Sequence, residues 1–320
     1  MRDHEQIRRR IKLRDLHMLE IVVRSGSMAK AATTLAITQS AISKSVADME
    51  RLLGVSLLDR NSRGVQPTPY GTVLLKRGWA IFDELGQGLK EIEFLADPSI
   101  GELVIGTTEP MTALAGAAIA RLSKQYPRIT YQVLSMETNA LFRELRSRNI
   151  ELAVTRIAAP GAEADMHVQT LFHDPLIVAA GGPNPLLRRR RIQLADLLNE
   201  HWILGPPGTF LWPFVNEAFR DQGLDPPKAS VTTTSNPLRY SLLLSGRFLT
   251  ILPRAMLNLP GGHPGLRALR VELPTTRRPI GLVALKGRRL SPVAGLFIDS
   301  AQAVARPLAL AASPTSAGSV

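Results

Sequence analysis

None of the 320 residues is cysteine, which excludes disulfides, thiolate nucleophiles, cysteine-based redox sensing and Cys-ligated zinc. Any switch in this chain must use other chemistry. The six histidines, at 4, 17, 167, 173, 201 and 263, show no metal-ligand spacing. A G-x-S-x-G elbow, a P-loop and a dinucleotide fingerprint are missing too, so no catalytic set, metal or cofactor is expected. The opening "MRDHEQIRRRIKLRDL" has no apolar stretch of the kind an export signal carries, and no run approaches the roughly 18 apolar residues of a membrane span. A cytoplasmic protein with no membrane partner is predicted. Acids are scarce against bases, 27 to 39, and the formal charge of +12 favours polyanionic partners as a global property only.

With 45% apolar residues, the chain is long enough for two domains, each with its own core. In "LRDLHMLEIVV", Leu16, Leu19 and Val23 recur at helical spacing and predict a helix over 13–23. After "SGS", Ser27 is placed to cap a second helix, "MAKAATTLA", whose Ala31 and Ala32 are small enough to let another helix cross closely. A break at 36–38 follows. Thr38 then caps a third helix, with Ile42, Val46, Met49 and Leu53 pointing inward and Gly54 ending it. Two short helices joined by a tight turn and packed by a preceding one outline a helix-turn-helix. "VSLLDR", the turn "NSRG" and "VQPT" read as a two-stranded wing.

Gln39, Ser40, Ser43 and Lys44 put donors and acceptors on the first turns of the third helix, where a recognition helix meets base edges. A solvated face of an ordinary surface helix shows the same residue types. The helix before it and the wing after it favour DNA. Arg60 and Arg63 at the wing tip suit phosphate or the minor groove, although an exposed turn also accommodates them.

Thr68 and Pro69 open a long helix to about residue 95. Its Leu74, Ile81, Leu85, Ile92 and Leu95 fit a seven-residue repeat completed by Gly78 and Gly88, which predicts a linker that pairs two copies. Each glycine costs ~1 kcal/mol of helix propensity, so close helix approach or a bend is implied. Beyond "ADPSIG" strands and helices alternate, which predicts an open α/β sheet of successive parallel strands, then a second lobe, with the late elements returning to the first.

The stretch "AKAATTLAITQSAISKSVADMERLLGVSLLDRNSRGVQPTPYG" resembles the DNA-binding region of LysR-type transcriptional regulators, in its paired alanines, "TQSAIS", "ME..LG", "LL.R" and "TPYG". "IELAV" and "LTILPRAM" fall where that family has its effector domain, so the likeness covers nearly all of residues 13–305. What it implies is a multidomain chain: a mainly α winged helix-turn-helix over 1–68, a dimerising linker helix over 69–97 and a two-lobed α/β effector domain, like periplasmic binding proteins, over 98–306. Lobe 1 is expected at about 98–171 and 277–306, lobe 2 at about 172–276, and a flexible tail at 307–320. The implied partners are double-stranded promoter DNA, a small-molecule effector, further copies of the chain as homodimer and homotetramer, and RNA polymerase. By matching positions, Gln39, Ser40, Ser43, Lys44, Arg60 and Arg63 face DNA. Ser40 departs from the family's frequent proline, and Met49 from its usual leucine.

Ligands of open α/β sheets settle beyond the carboxyl ends of strands, near helix N-termini. Those ends offer Thr108, Glu109 and Met111, then Thr138, then Thr155 and Arg156, then Pro206 and Thr209, then Ser235 and Asn236. The resemblance adds that Thr138 matches a position that often touches the effector. Threonine, serine and asparagine also cap helices for structural reasons alone. Arg156 suits a carboxylate clamp or an ordinary surface contact, while Glu109 suits the hydroxyls of a sugar, so the effector stays open between sugars and aromatic or other organic acids. "RRRR" at 188–191 reads as a solvated loop. Two rival readings stand against a regulator: a small-molecule binding protein without DNA function, which leaves the winged helix unexplained, and an α/β enzyme, which lacks a nucleophile-base set.

Overall fold

The computed structural model describes residues 4–61, 64–157, 163–259 and 264–312. Packing divides the chain into two units, Met1–Gly88 and Leu89–Val320.

In the first unit a short helix α1 (His4–Arg10) precedes α2 (Leu13–Ser25), α3 (Met28–Thr34) and α4 (Gln39–Leu53). The core face of α2 is wider than the expected stripe, for Met18, Ile21 and Val22 are buried beside Leu16 and Leu19, and Val23 is half-buried. Ile42, Val46 and Met49 of α4 close this core against Ala31 and Ala32 of α3. Ser27 caps α3 through the Lys30 N–H, Thr38 caps α4 through the Ala41 N–H at 3.2 Å, and Gly54 ends α4 in the left-handed region at φ +67°. Strands β1 (Leu58–Asn61) and β2 (Gly64–Pro67) pair antiparallel as the wing. It is anchored at both ends: Glu50 accepts the Leu57 N–H at 2.7 Å, and the Val65 N–H donates to the Gly26 carbonyl at 3.0 Å.

Helix α5 (Pro69–Ala96) starts on the buried Thr68, whose hydroxyl accepts the Gly71 N–H and donates to the Ser56 carbonyl. Gly71 is required there, since a Cβ would lie 2.0 Å from the Leu57 carbonyl oxygen. Further along, α5 exposes Ile81, Leu85, Leu89, Ile92 and Leu95.

The second unit contains two sheets. β3 (Ile100–Thr107), α6 (Thr112–Gln125), β4 (Arg128–Ser135), α7 (Thr138–Arg146), β5 (Leu152–Arg156) and β6 (Met166–Asp174) build the first lobe. β7 (Leu176–Gly181), β8 (His201–Leu204), α8 (Trp212–Arg220), β9 (Ala229–Thr232), α9 (Asn236–Leu244), β10 (Phe248–Pro253), α10 (Ala255–Asn258) and β11 (Leu266–Ala268) build the second. β12 (Arg278–Leu285) and α11 (Pro292–Ala312) return to the first. The orders are β4-β3-β5-β12-β6 and β11-β7-β10-β8-β9. Each lobe thus has three parallel strands, β4-β3-β5 or β9-β8-β10, extended by one strand that runs against them, β12 or β7, and by an outer strand, β6 or β11, that pairs antiparallel with that one. The successive strands β3, β4 and β5 are parallel as expected, and the sheets become mixed where the chain enters a lobe from the other one, because β7 and β12 run in the opposite sense.

Residues 307–312 continue α11 as helix, with Leu308 packed on the first lobe's core, so the expected tail is too long at its start; 313–320 lie outside the described residues. α11 is also the one helix among the described residues long and apolar enough to cross a membrane, over Pro292–Leu310. Its Val293, Ala294, Phe297, Ala301 and Ala305 are buried in the lobe's core, as a core helix requires.

Candidate functional site

On α4 the buried side is Ile42, Val46 and Met49, and the opposite side presents Gln39, Ser40 and Lys44 to solvent with Ser43 half-buried. This follows from the 3.6-residue period, which leaves the polar first turns free once the apolar stripe is packed. The orientation is fixed from both ends. Asp15 of α2 accepts from the Ser45 hydroxyl at 2.8 Å, and Glu50 holds the first wing strand. Ser40, standing where proline is frequent in the family it resembles, places its hydroxyl 3.0 Å from that of Thr38. Arg60 is exposed on β1 opposite Val65. Arg63 lies outside the described residues.

Between the two lobes lies a cleft of about 490 Å³. Its walls are the loops after β3, β4, β8 and β9 together with the ends of β5 and β10, all at the carboxyl ends of the parallel strands. Of the residues expected there, Thr108, Glu109, Met111, Thr138, Arg156 and Ser235 line it, as does Asn236. Thr209 lines an adjoining pocket of about 90 Å³ that shares Glu109 and Asn236 with the cleft. Thr155 and Pro206 line neither. Thr155 lies behind the wall, fully buried, its hydroxyl 2.9 Å from that of Thr138. The Pro206 carbonyl accepts the Thr209 hydroxyl at 2.9 Å and so shapes its own loop.

Arg156 is neither a free clamp nor a surface residue. It is 4% exposed, and its guanidinium donates to the Asp174 carboxylate at 3.1 Å, the Asp174 carbonyl at 2.8 Å and the Thr276 carbonyl at 3.2 Å. Asp174 and Thr276 stand where the chain crosses between lobes, from β6 to β7 and into β12. The other Asp174 oxygen accepts the Ala255 N–H at 3.0 Å, and the Thr276 hydroxyl accepts the Leu176 N–H at 3.0 Å. Burial pushes the Asp174 carboxyl up to about 6, while Arg156 pulls the other way.

Arg239 and Glu137 also belong to the site, although no motif in the sequence marks them. Glu137 lines the cleft, and with Glu109 it shares the adjoining pocket with Arg239 of α9. Arg239 donates to the Asn236 side-chain oxygen and to the Thr233 carbonyl, and its Nε has no hydrogen-bond partner among the described residues. Burial lowers its pKa, against the opposing pull of Tyr240, Glu109 and Glu137. Burial likewise pushes the Tyr240 phenol up to about 12. The one local signal was the N-terminus of α9 at "TSN", one turn before Arg239.

Residues 13–72 match the family model described as bacterial regulatory helix-turn-helix protein, lysR family, and residues 96–306 match the LysR substrate binding domain. The chain is 30% identical over 287 residues to the HTH-type transcriptional regulator YybE of Bacillus subtilis (strain 168), covering 88% of this chain and 95% of that protein. A full-length OxyR variant from Pseudomonas aeruginosa superposes with a TM-score of 0.66 at 19% identity, over 93% of this chain and 97% of that one. Full-length CbnR complexed with its target DNA superposes with a TM-score of 0.61 at 20% identity, over 92% of this chain and 100% of that one. At these identities the two solved structures speak to the fold.

Proposed function

The chain belongs to the LysR family of transcriptional regulators, and on that premise we propose how its parts divide the work. Residues 1–68 read double-stranded promoter DNA, the helix over 69–97 pairs two copies, and residues 98–306 hold a small-molecule effector in the interlobe cleft. Gln39, Ser40, Ser43 and Lys44 meet base edges and nearby phosphates, and Arg60 with Arg63 holds the flanking backbone or minor groove. The protein acts in the cytoplasm as a homo-oligomer, up to a tetramer, and engages RNA polymerase at the promoter. No catalytic step is assigned to it.

The observation that carries this reading is the exposed polar face of α4, which caps, core and wing hold in one orientation while Gln39, Ser40 and Lys44 stay in solvent. CbnR, of similar fold, is seen on its target DNA, and this chain's α4 is read as entering the major groove in the same service. In the cleft, Thr138 is read as the central effector contact, its hydroxyl oriented by Thr155.

The test is genome-wide mapping of bound DNA in the native host, followed by footprinting of the enriched promoters with and without small molecules. Discrete, inverted-repeat sites whose footprint changes with a metabolite are expected. The absence of any enriched promoter overturns the reading.

A further inference from the structure

The cleft's charges identify the class of compound it takes, an inference that rests on the cleft being the effector site. A carboxylate ligand needs a cation with donors to spare. Arg156, the natural candidate, has its terminal guanidinium nitrogens turned to Asp174 and Thr276 at the crossings between lobes, and its Nε, unpartnered among the described residues, is buried. Arg239 is engaged with Asn236 and Thr233 and flanked by Glu109 and Glu137, and its Nε, unpartnered among the described residues, is buried away from the cleft surface. Those two carboxylates are both exposed and both line the cleft, so they repel an entering anion.

An ammonium ligand is opposed from the other side. The N-termini of α7 and α9 open at the cleft, at Thr138 and Asn236, and bring partial positive charge. Among the described residues Phe210 is the one aromatic ring on the cleft wall, with Trp212 in the adjoining pocket, where cation cages use several rings around one point. A hydroxyl satisfies both kinds of neighbour, because it donates to a carboxylate and accepts from an amide or another hydroxyl. Thr108, Ser135, Thr138, Thr234 and Ser235 add hydroxyls to the wall, and Ser135 already donates to Glu109 at 3.4 Å. Phe210, Pro110 and Leu211 supply apolar surface for the C–H face of a ring. We propose that the effector is an uncharged polyhydroxyl compound, a sugar or a polyol, held by Glu109 and Glu137 through its hydroxyls.

The test uses the full-length protein and isothermal titration calorimetry. The probes are D-glucose, D-galactose, D-xylose, L-arabinose and myo-inositol, set beside gluconate, galacturonate and glucosamine as charged counterparts. At least one neutral compound binds, about tenfold or more tighter than its acid or amine counterpart. Glu109→Gln weakens that compound and narrows the disadvantage of the acid. Binding of an acid as tight as its neutral counterpart, or no binding by any neutral compound, overturns the class. If the tight acid is itself weakened by Thr138→Val, the cleft remains the effector site and takes an anion instead. A neutral sugar whose affinity ignores both Thr138→Val and Glu109→Gln binds elsewhere and sinks the cleft reading as well.

Discussion

Arg156 and Asp174 neutralise each other inside the protein, with side chains 5% and 4% exposed, at the point where both connections between lobes pass. A buried pair is costly to break from one side, because the remaining charge has neither water nor partner. Arg156→Met leaves Asp174 in that state, and without the guanidinium its carboxyl rises beyond about 6. A folded-state pKa above the ordinary 3.8 means that protonation favours the folded chain: this contribution is present in full below 3.8 and is lost as pH rises through the folded value. The variant is therefore destabilised by about 3 kcal/mol at neutral pH, and the deficit shrinks as pH falls towards 5. Urea unfolding of wild type and variant across that range checks it; a deficit independent of pH would detach Asp174 from the effect. Nothing near Arg156 in the sequence shows this pairing, since Asp174 lies 18 and Thr276 120 residues away. Residue type and strand end were legible there, and the partners were not.

The elements of the first unit were legible because their signals are local. Thr38, Gly54 and Thr68 with Pro69 mark helix ends within a turn of themselves, and the structure uses each of them so. The turn between α3 and α4 is less ideal. The Ala36 N–H donates to Thr33 and the Ile37 N–H to Ala32, a Schellman motif whose left-handed position, φ +52°, is held by alanine where glycine is usual. Ala36→Gly relieves a cost of roughly 1–2 kcal/mol against a smaller gain in unfolded-chain entropy, so the unit's melting temperature rises by a few degrees in calorimetry. Recognition helix and wing should separate in binding assays. Gln39→Ala costs about 1–3 kcal/mol and relaxes preference at one base position, whereas Arg60→Ala weakens all sequences alike and lowers the salt slope by about 1. Equal effects on base preference in anisotropy titrations would refute that division. The parallel run of β3, β4 and β5 was legible in the alternation of strand and helix, whereas the antiparallel additions were not, because β6 ("MHVQTLFHD") is polar on its open positions and β12 gains its antiparallel neighbours from far along the chain.

At the scale of the whole molecule, α5 carries the strongest sign that one copy is incomplete. Ile81, Leu85, Ile92 and Leu95 are 44%, 50%, 64% and 81% exposed, and their 4-7-3 spacing, with Leu89 beside them, draws one stripe along the helix. Leaving four large aliphatic side chains in water forgoes about 1.5–3 kcal/mol each relative to burial. A second copy with the same stripe would cover it in an isologous pair, which would also supply two winged helices for two half-sites of a DNA repeat. The glycines of the repeat divide in role. A Cβ on Gly78 would meet Leu16 at 3.8 Å, so it packs within its own unit, whereas Gly88 has nothing within 4 Å. Leu85→Asp places a charge at the centre of the stripe, and in the pair it appears twice, so the dimer loses both burial and charge balance. Sedimentation equilibrium should show the variant shifted to the mass of a single chain at concentrations where wild type is oligomeric. Affinity for a two-half-site promoter should fall by at least about tenfold, while a single half-site, needing one winged helix, is bound as before. A variant that sediments as wild type would remove α5 from the interface and leave its exposed leucines in need of another partner.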